Sequence, residues 1–131
     1  MKFRRFIFNK LVRDNIEKEI IKSGCTTKSR VLDSQSYIFE LKRKLIEEAA
    51  ELCNTNIKDE LLEEIADVQE IIDCILNEIG YSKKTMQKEQ KRKNDKKGSF
   101  SKKNFIDYIE CDENYEWINY YINNSDKYPE M

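Results

Sequence analysis

Four acids are spaced to meet: Glu48 with Glu51, and Glu64 with Asp67. The members of each pair stand three residues apart, and residues three apart share one side of a helix. Both pairs lie in Glu/Leu/Ile-rich segments free of Gly and Pro, which favour helix. If the two helices pack as a hairpin, four carboxylates converge. They repel strongly unless a cation lies between them. Mg²⁺ or Mn²⁺, hard cations that take oxygen ligands, suits this pattern.

Helical phase sharpens the expectation. At about 100° per residue from Leu41, the apolar residues Tyr37, Leu45 and Leu52 fall at about −40°, +40° and +20°. Glu48 falls at about −20°, inside that stripe, and Glu51 at its flank at about −80°. Counted from Leu61, the residues Ile65, Val68, Ile72 and Ile79 all fall within about 40° of it, which makes them the expected inner face. Glu64 then lies at about −60° and Asp67 at about −120°. A carboxylate facing a packed interior must protonate, pair or bind metal. Glu47, at about −120° from Leu41, stands to one side, placed to support the cluster or act on a water. The chain is 37% charged, so acids at this spacing also arise on solvated faces; Glu60, Glu63, Glu70 and Asp73 are expected to be of that kind.

The elements needed to position these acids are legible in the punctuation. Asp14 is a candidate cap for a helix running to Ser23, with Gly24 as its stop. Ser34 or Ser36 begins a second helix to about Asn54, and the short turn Asn54–Asn56 predicts an antiparallel third helix over 58–79, ended by Gly80. Ser82 is a candidate cap for a fourth helix, Lys83 to about Asn94, followed by a loop at Lys97–Phe100. Phe105, Ile106, Tyr108 and Ile109 suit a strand or a short helix, and Glu113–Asn123 a short aromatic helix. The expectation is an all-α bundle of four to five helices around the hairpin 36–54 and 58–79. With 131 residues it is one domain, completed by homo-oligomerisation to a dimer or tetramer.

The net charge of −1 conceals segregation. From Glu40 to Gly80 there are twelve acids and four bases; from Lys83 to Lys103, ten bases and two acids. An acidic hairpin followed by a basic segment suits a cation site that also holds a polyanion. The chain has no His, which excludes Cys/His zinc sites and His-based catalysis, and its four Cys form no CxxC. Cys74 is expected to be a plain buried thiol, and scattered thiols suit a reduced cytoplasmic compartment. Lys10, Arg13 and Asp14 interrupt the apolar start, so neither a signal peptide nor a membrane span is expected.

The pattern Glu47-Glu48-x-x-Glu51, twelve residues, then Glu64-x-x-Asp67 resembles the metal motif of the MazG-like all-α nucleotide pyrophosphohydrolases. Asn9-Lys-Leu-Val-Arg-Asp14 is similar to the N-terminal signature of their phosphoribosyl-ATP pyrophosphohydrolase-like branch. Lys97-Gly-Ser-Phe100 resembles that branch's R-G-G-F element, and Asp126–Met131 its tails. The resemblance implies Glu48, Glu51, Glu64 and Asp67 as Mg²⁺ ligands and Glu47 as the acid that supports the site or orients water. It places Lys10, Arg13, Asp14, Lys93 and Lys97 near the substrate. Lys97 stands where Arg is usual and loses the bidentate fork; Ser99 stands where a second Gly is usual, which restricts a positive φ.

The implied reaction is hydrolysis of a nucleoside triphosphate between its α and β phosphates, giving a monophosphate and pyrophosphate. Hydrolysis of phosphoribosyl-ATP and removal of non-standard nucleotides are the neighbouring roles. A different class is a non-catalytic nucleic-acid-binding or interaction protein, using the basic run or the aromatic C-terminus. The −8 hairpin would repel a nucleic acid, which disfavours that partner.

Overall fold

A computed structural model describes residues 2–131. It is all-α: five helices and, among the described residues, no strand. They are α1 (Ile16–Lys22), α2 (Ser34–Cys53), α3 (Lys58–Ile79), α4 (Lys83–Lys97) and α5 (Ile118–Asn123). Two compact units are present, Met1–Lys96 and Lys97–Met131. No helix among the described residues is long and apolar enough to cross a membrane.

Within the first unit, the antiparallel pair α2–α3 is the packed centre. Asp33 starts α2 by accepting the Ser36 N–H at 2.8 Å, the bond that satisfies an otherwise orphan helical donor. Asp33 therefore holds the cap position and Ser34 begins the helix. Gly80 ends α3 at φ +86°, a left-handed conformation that a Cβ disfavours. At α1, Asn15 rather than Asp14 occupies the N-cap, with no side-chain cap bond, and Gly24 follows the helix at φ +103°.

One seam registers the hairpin. Ser34, Leu41 and Glu48 recur every seven residues on α2; Glu64, Ile71 and Glu78 do so on α3. The chains run antiparallel, so Ser34 meets Glu78, its hydroxyl donating to Glu78 Oε1 at 2.5 Å. At the other end, the Glu48 and Glu64 carboxylates come together. Between them lie Leu41 and Ile71, 3% and 8% exposed and the buried apolar residues of the described chain. This corrects part of the expected face of α3, of which Val68 and Ile72 are half-buried. Ile65 and Ile79, placed inside by the sequence pattern, are about half exposed, while Ile71 turns inward. The cause is the width of the apolar arc: α3 is apolar over more than one stripe, and the seam takes the edge that also carries Glu64.

Ser82 caps α4 through its hydroxyl, which accepts the Thr85 N–H at 3.1 Å. This helix runs three residues past the expected end, through Lys97, because the Lys-rich stretch contains no breaker before Gly98.

In the second unit, residues 103–112 form neither strand nor helix, contrary to both options offered by their apolar pattern. Phe105 and Ile106 are exposed and have no packed face to reward regular structure. The aromatic helix is shorter than expected. Its rings cluster instead: Trp117 and Tyr120 meet edge to face at 5.8 Å, and Tyr121 and Tyr128 at 5.0 Å. Gly98 takes φ +81°, so the positive φ of this loop falls on the glycine and Ser99 is spared it.

Candidate metal centre

α2 delivers Glu48 and Glu51 from successive turns, and α3 delivers Glu64 at the same level of the seam. One carboxylate oxygen from each lies within 4.8 Å of the others. Glu48 is only 9% exposed, although it is ionisable, because it occupies the heptad position after Leu41. Glu64 is half-buried and Glu51 exposed, so the cluster opens to solvent on the Glu51 side.

The cluster is electrostatically unfinished. Glu48 Oε2 and Glu64 Oε2 are buried without a hydrogen-bond partner. An orphan buried acceptor is costly, and a buried carboxylate oxygen more so. Burial, then the charges of Glu51 and Asp67, push the Glu48 carboxyl up to about 7, opposed by Lys44. Burial, then Glu51 and Asp67, also raises Glu64. Two uncompensated oxygens among three carboxylates fit a hard divalent cation: it would take the orphan oxygens as ligands and cancel the repulsion that raises both groups.

Asp67, the fourth expected ligand, does not join the three. Its Oδ1 accepts from Arg13 Nη2 at 2.7 Å. It stays near enough to raise Glu48 and Glu64. Glu47 also points to cations rather than to the cluster. Its two oxygens accept from Lys10 Nζ and Lys44 Nζ, each at 3.4 Å. Burial pushes the Glu47 carboxyl up, but Lys44 and Lys10 together outweigh it and leave it below the usual carboxylate range.

Lys10 and Arg13 thus reach the acids from the N-terminal arm as ion pairs with the acidic hairpin. The arm begins its approach at Asn9, whose φ of +43° is left-handed, a conformation that Asn tolerates better than most residues. Asp14 is exposed and forms no ion pair among the described residues, and Lys93 forms none with the acids. Lys97 is the last residue of α4 and the first of the second unit. Glu60, Glu63 and Glu70 are solvated, as expected, while Asp73 is half-buried and lies 3.9 Å from Lys83 Nζ. Cys74 is half-buried rather than buried, with its thiol 3.8 Å from Glu70.

Lys44 was not anticipated. It lies one turn before the acids on α2, its Nζ 3.4 Å from Glu47 and 3.8 Å from Glu48. The signal was available, since Lys44 precedes Glu47 and Glu48 by three and four residues. No known protein family, curated protein or solved structure matches this chain.

Proposed function

We propose that this protein is a Mg²⁺-dependent nucleotide pyrophosphohydrolase that cleaves a nucleoside triphosphate between its α and β phosphates. The observation that carries this proposal is the Glu48–Glu64 layer: buried carboxylates with orphan oxygens at a position where the helix pair would otherwise pack apolar side chains. The order of the sequence motifs, from Asn9–Asp14 through the acid pairs to Lys97–Phe100, supports the same conclusion.

In the reaction, water adds to the α phosphorus, and the bond to the α–β bridging oxygen breaks. Pyrophosphate departs with that oxygen, and the water sheds a proton. Mg²⁺, with Mn²⁺ as a substitute, supplies Lewis-acid polarisation and neutralises the triphosphate against the carboxylates. Glu48, Glu51, Glu64 and Asp67 would hold it. Glu47, kept ionised by Lys44 and Lys10, is suited to orient the water and take its proton. Arg13 brings a planar guanidinium that suits phosphate oxygens, and Lys10 a point charge. The exposed side at Glu51 is the approach for the nucleotide. The enzyme would act in the cytoplasm as a homo-oligomer.

The test is pyrophosphate release from a panel of ordinary, deoxy and modified nucleoside triphosphates and phosphoribosyl-ATP, with and without Mg²⁺. Mg²⁺-dependent release is expected from at least one of them, and the best substrate names the role. No release from any, with nucleic-acid binding in the absence of Mg²⁺, would replace the proposal with a binding function.

A further inference from the structure

Arg13 and Asp67 are fifty-four residues apart in sequence, yet their side chains form the shortest ion pair at the acidic centre, 2.7 Å. Arg13 lies outside the helices, on an arm whose other charged tie to the centre is Lys10 on Glu47. Of the arm's residues from 2 to 13, Leu11 alone is half-buried; the rest are exposed. Little apolar burial therefore holds the arm in place, and its charged ties to the centre are Arg13 on Asp67 and Lys10 on Glu47.

We propose that Arg13 is a resident counter-ion of the metal-free centre, exchanged for the divalent cation when the centre loads. The inference rests on the metal reading above and adds its regulation. Three carboxylates already converge, and one of them, Glu48, is nine-tenths buried with an oxygen that nothing satisfies. Asp67 is the ligand that must turn inward to complete the set, and Arg13 is what holds it. Arginine does not shed its proton in a protein, so it cannot leave by neutralisation. It must be displaced. A cation that recruits Asp67 therefore frees the guanidinium, and the arm with it, at the moment a triphosphate needs a bidentate donor. Metal loading and docking of Arg13 on Asp67 become one exchange, and each opposes the other by the same factor.

The exchange makes opposite demands on one side chain. Arg13→Gln removes the competitor, so Mn²⁺ should bind the nucleotide-free full-length chain about fivefold more tightly than it binds the unmodified protein, the scale of one good ion pair. Lys10→Gln breaks a pair to Glu47, outside the ligand set, and should leave Mn²⁺ affinity within about twofold. Binding would be read by calorimetry, with circular dichroism confirming helicity in each variant. Trypsin supplies a second readout on the unmodified chain, since it cuts after Lys10 and Arg13: saturating Mn²⁺ should accelerate cleavage at both bonds. Unchanged or weaker Mn²⁺ binding in Arg13→Gln, or arm cleavage indifferent to Mn²⁺, would overturn the exchange while leaving the metal centre standing. Absence of Mn²⁺ binding in the unmodified protein and both variants would overturn the centre itself.

Discussion

Glu48, one heptad after Leu41, and Glu64, one heptad before Ile71, face each other across the α2–α3 seam, in the layer where a helical hairpin would ordinarily place its next apolar pair. The seam thus changes from apolar to acidic within two turns. A carboxylate in such a layer destabilises the metal-free fold, because the charged form loses water and gains only Lys44, 3.8 Å from one Glu48 oxygen, in return.

The first prediction follows directly. Glu48→Gln removes the charge while keeping the shape. Mg²⁺-dependent pyrophosphate release should fall by about a hundredfold or more, the usual scale for deleting a group essential to positioning and electrostatics. The metal-free melting temperature should hold or rise, measured by circular dichroism. Glu48→Leu, which restores an apolar layer, should be at least as stable as Glu48→Gln. A variant that keeps full activity would remove Glu48 from the site.

Stability should depend on pH in a direction set by the same residue. The Glu48 carboxyl is raised by burial, and by Glu51 and Asp67, from an ordinary 4.5 to about 7. The fold therefore binds a proton more tightly than the unfolded chain does. The stabilisation is fully present below pH 4.5 and is lost as pH rises through about 7. Glu64 shifts in the same direction. Thermal melts of metal-free protein in chelator should show a falling melting temperature from about pH 5 to pH 8, with a flatter profile in Glu48→Gln. Lys44→Met removes the cation opposing the rise and should steepen the loss. A melting temperature that climbs across this window would contradict the buried, repelled carboxyl.

Much of this architecture was written locally. Asp33, Gly80 and Ser82 mark helix ends through cap bonds and a left-handed φ, and such signals act within a few residues. The acid spacing was legible for the same reason. The inner face of α3 was not, because a broad apolar arc leaves several faces equally plausible until a partner helix selects one. Only the matching heptads Ser34–Leu41–Glu48 and Glu64–Ile71–Glu78 single it out, and they belong to two helices at once. An ion pair between Arg13 and the acidic hairpin is what their opposite charges suggest, but the choice of Asp67 was not legible, because the pair joins an arm without regular structure to the middle of α3. Residues 103–112 show the converse failure, where apolar character promised regular structure that no packing surface in their unit supports.

Gly80 offers a test of the fold that leaves the acids untouched. Its φ of +86° ends α3, and a Cβ built there meets nothing within 4 Å. Gly80→Ala should therefore lose stability through backbone strain alone, about 1 kcal/mol. Chemical denaturation should report that loss with an unchanged slope, and Mg²⁺-dependent turnover should be retained. A neutral result would mean that α3 ends differently in solution.

The remaining apolar surface of the hairpin makes the last prediction. Phe39 and Ile46 lie on the side of α2 turned from the seam, separated by one heptad and 61% and 71% exposed. On α3, Leu62 is 67% exposed and Ile65 about half. Side chains this large and this open cost solvation free energy, about 25 cal/mol for each Å² left in water. Large exposed apolar side chains on a chain with so small a buried core are the setting in which helical proteins associate. Sedimentation should therefore find a dimer or tetramer at micromolar concentration. Ile46→Glu and Leu62→Glu, each replacing an exposed apolar side chain with a charge, should shift that population toward monomer by about tenfold or more in dissociation constant, with helicity retained. Monomeric unmodified protein, or variants that associate as before, would show that these faces are not what holds copies together.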